Sequence, residues 1–518
     1  MILDYSSPGH YLIALLPETV LTLGAFVVLL TDVFIRGRGP GPSGAWAGRG
    51  AVVSVLAAIA ASLWVGLNVE ASSGLVAVDG FRLASSLVLL GAALLALLFA
   101  FDYGRREGLH IGEFYALVLL ATVGMLVLVG ARDLILVFLG LELMSIAVYV
   151  LTGFNRNDPR SSEAGLKYFL VGAFASAFIL YGIALLYGAT GSTNIPDVLG
   201  RVAASVEEGS VLFFSGVTLL LIGFGYKIAA VPFHMWTPDA YEGAPTSVTG
   251  YMAVGVKTAA FIALLRVFTG QLAPAAEFWS GIVWWLAMLT MIVPNLIALV
   301  QNNVKRMLAY SSVAHAGYLL VGVAAGDAFG RAAALFYLAA YTLMTLGAFA
   351  VVYVVAGKGD RRMTLADFRG LGWRRPGLAF ALLVFLLSLA GFPPTGGFVG
   401  KLYLLRASID AGQVALAVTL VLSSLVSYYY YLRVVWKMYF EEGTEQPVAK
   451  GGFAFRFSAA ICAGGILLLG LLPGPALRAF ERAGADLESA PTARVSAASS
   501  SETSLSGERA NPVSAVGP

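Results

Sequence analysis

Apolar runs of about 20 residues follow one another almost end to end along this chain, separated by short segments rich in Gly, Pro and charge. Each run is long enough to cross a hydrocarbon core of roughly 30 Å as a helix. About fourteen can be counted, the first near residues 11–33 and the last near 457–472. The first is too long for a signal-peptide core, lacks a basic region before it and has no small-residue cleavage site, so it is expected to be a permanent span. The pattern predicts an all-α polytopic membrane protein. After the last run the sequence turns to Ala, Ser, Thr and Glu, and a disordered tail is expected over 485–518.

The loops sort by charge. Odd-numbered loops carry Arg36, Arg38, Arg49, Arg105, Arg106, Arg156, Arg160, Lys305, Arg306, a cluster from Lys358 to Arg375, and Lys437, Lys450 and Arg456. Even-numbered loops carry only Arg82, Arg132, Arg201, Arg331 and Arg406. The positive-inside rule then predicts cytoplasmic odd loops and both termini on the outer side of a bacterial cell membrane.

A few basic residues remain inside the runs: Lys167, Lys227, Lys257, Lys401, Arg266 and Arg433. An ionisable group in hydrocarbon costs on the order of 2.5–3.5 kcal/mol even on the lenient insertion scale, so such residues mark ion or proton paths. Arg266 and Arg433 lie toward span ends and are expected to snorkel to the interface. For Lys167, near the start of its span, snorkelling and function both stand open. Lys257 is ten residues past Ser247, about 15 Å into the membrane, and Glu142 is nine past Asp133, about 13–14 Å in. An acid and several lysines at similar depth invite pairing. Tyr428 to Tyr431 are expected to form an interface belt, and Asp239 and Glu242 to order a cytoplasmic loop.

Two spans carry helix-breaking residues beside a lysine. Gly223, Gly225 and Pro232 flank Lys227, and Gly391, Pro393, Pro394, Gly396 and Gly397 precede Lys401. Five spans separate the two, so they are expected to run in opposite directions, as in an inverted repeat. The organisation expected is three N-terminal spans (1–110), a first five-helix repeat (111–270), an inverted second repeat (271–440), a last span (441–484) and the tail.

Composition narrows the function further. The chain has 518 residues, 58% hydrophobic and only 12% charged, with a formal charge of +3 that forms no basic stripe, so nucleic acid is not a partner. The single cysteine, Cys462, provides for neither an internal disulfide nor an iron–sulfur cluster. No Walker or dinucleotide glycine fingerprint is present, so no cofactor is expected on this chain and energy must come from a gradient or a partner subunit.

The segments GFGYKIAAVPFHMWTPDAYEGAP, SVTGYMAVGVKTAAF, NNVKRMLAYSSVAHAGY and LAGFPPTGGFVGKLYL, spread over roughly residues 110 to 440, together resemble the subunit N family of bacterial NADH-quinone oxidoreductase, respiratory complex I, within the antiporter-like superfamily. The resemblance implies a proton-translocating module among the other membrane subunits of that complex, driven by quinone reduction elsewhere. NADH, FMN, iron–sulfur clusters and quinone would belong to other subunits. It matches Glu142, Lys227, Lys257 and Lys401 to the family's proton pathway, and His315 to a relay histidine. A lysine's proton affinity falls on desolvation and rises beside a carboxylate, so moving Glu142 relative to Lys227 would switch proton uptake and release. Lys257 and His315 would relay laterally, and Lys401 would exchange with the outer side. The alternatives are a subunit of a multisubunit cation/proton antiporter, a stand-alone solute transporter and a membrane scaffold. Past Phe440 the resemblance loosens, and no long lateral helix is expected after the last span.

Overall fold

The computed structural model describes residues 2–3, 8–36, 43–71, 74–109, 111–443, 448 and 451–487. Among them, thirteen helices are long and apolar enough to cross a membrane. The remaining expected span, the twelfth, is two helices of 15 residues, Pro376–Ala390 and Gly396–Asp410, separated by a five-residue break. In chain order the other spans run from Leu16–Arg36 through Gly80–Glu107, Leu134–Thr152 and Val211–Ile228 to Phe453–Leu471.

Helix ends follow capping chemistry. Asp79, Asp133, Asp158, Asn303 and Asp327 each accept a hydrogen bond from the first turn of the helix they precede. Gly391, at φ +87°, closes Pro376–Ala390 in the left-handed conformation that glycine adopts without strain.

The eighth span, Thr246–Leu264, is buried along its whole length and continues into a π-helical turn, Leu265–Gln271. It packs against the third, fourth and eleventh spans, and its many Ala and Gly residues let neighbouring backbones come close. The fourth and fifth spans also cross closely: a Cβ on Gly124 would lie 2.3 Å from the Met144 amide.

The seventh span departs from expectation. Gly223 and Gly225 lie inside a continuous helix, where they admit Ile179 and Phe233 against the backbone. The break falls after Lys227, at residues 229–235, and a short helix, Trp236–Gly243, follows. Lys227 thus sits in the last turn before its break, whereas Lys401 sits in the second turn after its own.

A second departure concerns the C-terminal end. A helix over residues 473–487 follows the last span. It folds back on the end of the bundle where the third and eleventh spans begin. Arg331 Nε donates to the Gly484 carbonyl (3.0 Å), the Gly80 amide donates to Asp486 (3.1 Å), and Phe480 meets Phe336 edge-on. Its apolar spacing, Ala476, Phe480, Ala483 and Leu487, is a helical stripe already legible in the sequence. The remainder of the expected tail, 488–518, lies outside the described residues.

Candidate proton pathway

On the fifth span, Glu142, Ser145 and Tyr149 are spaced i, i+3 and i+7 and therefore share one face. Lys227 reaches that face from the seventh span. Its ammonium donates to Ser145 Oγ (3.0 Å), Tyr149 OH (3.1 Å) and Ser176 Oγ (3.4 Å), and stands 3.9 Å from the Glu142 carboxylate. The Ser176 hydroxyl, from the sixth span, donates to Glu142 and lies between acid and base. The lysine side chain is 4% exposed and the glutamate 25%. The expected pair therefore exists, with a hydroxyl inserted.

The second group is built on the tenth span, Val304–Ala325. Ser312, His315 and Tyr318 recur at i, i+3 and i+6. Lys257 donates to both the carbonyl and the hydroxyl of Ser312, and the same hydroxyl accepts from Tyr341 OH at 2.8 Å. The Tyr341 ring lies 5.3 Å from the His315 ring. His315 Nδ1 is 2.6 Å from Tyr337 OH, and Nε2 is 3.1 Å from Tyr431 OH. The Tyr318 ring, 5.3 Å from His315, carries the Lys401 ammonium over its face at 4.7 Å. Lys401 donates to the carbonyls of Leu389 (3.1 Å) and Ala390 (2.9 Å). These acceptors are freed by the break in the twelfth span, at a helix end where the backbone dipole favours a cation.

Lys257, His315 and Lys401 are thus brought together through Ser312, Tyr341 and Tyr318. Among the described residues, no direct hydrogen bond joins this group to the Lys227 group, so the predicted row is two clusters, the second of which takes Lys257 from the eighth span.

Several residues sit in settings that the sequence does not show. Arg266 does not snorkel. It is 2% exposed and grips Asp79 with both terminal nitrogens at 2.8 and 2.9 Å, while Nε donates to the Val129 carbonyl. A carboxylate placed at the cap of the third span provides the counter-charge that position along the chain does not reveal. Arg433 donates to the Leu299 and Gln301 carbonyls. Tyr430 and Tyr431 are buried rather than forming a belt, because the thirteenth span turns that face inward: Tyr430 donates to Asn295 (2.8 Å), and Tyr431 bridges Ser311 and His315. Lys305, read as a loop residue, is 1% exposed, donates to the Ala244 carbonyl and lies 3.8 Å from Asp360. Lys167 pairs with Glu163 and Asp239 at the surface. Glu18 pairs with Arg82 at 2.7 Å inside the bundle.

Residues 131–427 match the family described as NADH:quinone oxidoreductase/Mrp antiporter, TM. The chain is 45% identical over 477 residues to NADH-quinone oxidoreductase subunit N of Trichlorobacter lovleyi, covering 90% of this chain and 96% of the relative. The chain belongs to the subunit N family of NADH-quinone oxidoreductases. A second member, from Gemmatimonas aurantiaca, is 48% identical over 498 residues, covering 93% of this chain and 95% of its own. A chain of respiratory complex I from Thermus thermophilus, solved with bound aureothin, superposes with a TM-score of 0.76 at 36% identity, over 90% of this chain and 99% of its own.

The matched segment holds Glu142, Lys227, Lys257, His315 and Lys401 but ends before Tyr431. In this subunit N chain, Tyr431 is the hydroxyl that faces His315 Nε2, so Tyr431→Phe is expected to slow proton transfer severalfold with assembly unchanged. NADH-driven acidification, normalised to the amount of assembled complex, checks it.

Proposed function

We propose that this chain is the proton-translocating membrane subunit of a bacterial NADH-quinone oxidoreductase, moving protons through buried Glu142, Lys227, Lys257, His315 and Lys401. It works among the other membrane subunits of complex I, and quinone reduction in a neighbouring part of the assembly drives it. NADH, FMN, iron–sulfur clusters and quinone are handled by other subunits.

The observation that carries this reading is the run of hydroxyls and rings linking Lys257 through Ser312, Tyr341, His315 and Tyr318 to Lys401. Every member of that run is buried. Hydrogen bonds link Lys257 to Tyr341 through Ser312, and ring contacts hold His315 and Lys401 alongside, so water or side-chain rotation completes the hops from Tyr341 to His315 and from His315 to Lys401. In the Lys227 cluster, Ser176 stands between acid and base, so a small shift of the fifth or sixth span changes how strongly Glu142 holds the lysine proton. Lys257 relays, His315 is the intermediate, and Lys401 exchanges at the far side.

The two interrupted helices, five spans apart and each bearing a lysine, support inverted repeats over 111–270 and 271–440. The loop charges support both termini on the outer side of the cell membrane. The names of the relatives favour complex I over a multisubunit cation antiporter.

Lys227→Ala in reconstituted complex tests the assignment. Proton translocation per NADH is expected to collapse while the complex still assembles. Near-normal pumping from an assembled variant would end the reading.

A further inference from the structure

At the end of the bundle opposite the C-terminal helix, the twelfth and fourteenth spans start side by side and leave a cleft of about 710 Å3 between them. That volume lies within the roughly 300–1,000 Å3 typical of small-molecule sites. The mouth of the cleft carries Arg374, Arg375 and Arg456, and none of its described lining residues is acidic. Arg374 and Arg375 immediately precede Pro376, the first residue of the twelfth span, and Arg456 is in the first turn of the fourteenth, Phe453–Leu471. Two carbonyls orient the first pair: Arg374 donates to that of Arg369 at 2.6 Å, and Arg375 to that of Val448 at 2.9 Å. Burial, and next the charge of nearby Arg362, push the Arg374 guanidinium below its ordinary value.

Below this mouth the lining changes character. Phe380, 60% exposed, and Ala460 and Ala463 form an apolar wall. Ala463 is seven residues past Arg456, about 10 Å deeper along the helix. The cleft therefore sets a cationic head site over an apolar channel at bilayer depth. A guanidinium matches phosphate oxygens with paired donors, and basic pockets between spans at the water interface hold lipid head groups. A free phosphate would use the mouth and leave the apolar wall in contact with water.

We propose that this cleft binds one anionic phospholipid, its phosphate on Arg374, Arg375 and Arg456 and an acyl chain along Phe380, Ala460 and Ala463. None of the cleft's described lining residues belongs to the proton pathway.

Photoactivatable phosphatidylglycerol, with phosphatidylcholine of the same chains as control, tests this in membranes carrying the full-length chain in its native assembly. Label on the peptides around 374–381 and 456–463 is expected to favour phosphatidylglycerol at least fivefold. Each Arg→Gln change among Arg374, Arg375 and Arg456 should lower it about fivefold, the equivalent of ~1 kcal/mol per basic residue. Ala460→Trp, which keeps all three arginines and fills the channel, should also remove the label. Equal labelling by the two lipids overturns the proposal. So does displacement by millimolar inorganic phosphate with no effect of Ala460→Trp, which would make it a free-phosphate site. Cross-linking of a photoreactive residue at position 463 to another subunit would make it a protein interface, and would overturn it as well.

Discussion

Lys257→Met is expected to reduce NADH-driven proton translocation by about 10²-fold, the usual worth of a positioned proton-transfer group, while the melting temperature of the assembled complex stays level or rises. The two halves of this outcome have one cause. Lys257 is 2% exposed, and among the described residues no carboxylate lies within ion-pair distance of it. Its ammonium donates to the carbonyl and hydroxyl of Ser312 and lies 5.8 Å from the Tyr341 ring centre. A buried cation without a counter-charge carries a desolvation cost of several kcal/mol, and replacing buried charge with an apolar group of similar volume is often neutral or stabilising. Methionine fits the same space and returns that cost. A lysine retained only for architecture would show the opposite pattern, with lower stability and pumping reduced merely in proportion to assembly. Thermal melting and acidification measured on the same preparation separate the two.

The second large effect is structural. Arg266→Ala is expected to destabilise the bundle by about 3–5 kcal/mol, because it strands Asp79 where the guanidinium had neutralised it. The guanidinium also lies over the Phe81 ring, so packing is lost with the charge. Asp79→Asn separates the terms: asparagine keeps the cap on the third span, so what it loses is the charge pairing. Burial works to raise the Asp79 carboxyl, but Arg266 outweighs it and holds the group below the usual carboxylate range. A depressed carboxylate contributes stability that is complete above its unfolded value near 4 and is lost as pH falls through the folded value. Wild-type melting should therefore drop below about pH 4, and Asp79→Asn should flatten that part of the profile.

How much of this was legible in the sequence depends on the signal each residue leaves. Span length and hydropathy are local, so the spans, the interrupted helices and the isolated charges Glu142, Lys227, Lys257 and Lys401 could all be read from the chain itself. Partners separated by long stretches leave no local mark. Nothing near Arg266 announces Asp79, 187 residues away, and nothing near His315 announces Tyr431, 116 residues on. The tyrosine run looked like an interface belt because composition does not report which way a helix turns. Lys305 looked like a loop residue because it follows two asparagines, and the Asn303 cap in fact starts the tenth span there. The glycines beside Lys227 looked like a break, yet they serve close packing against Ile179 and Phe233 inside an unbroken helix.

The contact between Arg331 and Gly484 reaches across 153 residues, and the same guanidinium also donates to the Thr269 carbonyl at 3.2 Å. A growing chain is inserted from its first residue onward, so one acceptor of this arginine is synthesised only after the fourteenth span. The eleventh span must wait, incompletely closed at that end, until the helix over residues 473–487 has been made. Shortened chains that stop at residue 472 should therefore be recognised by membrane quality-control proteases even though every span has been made.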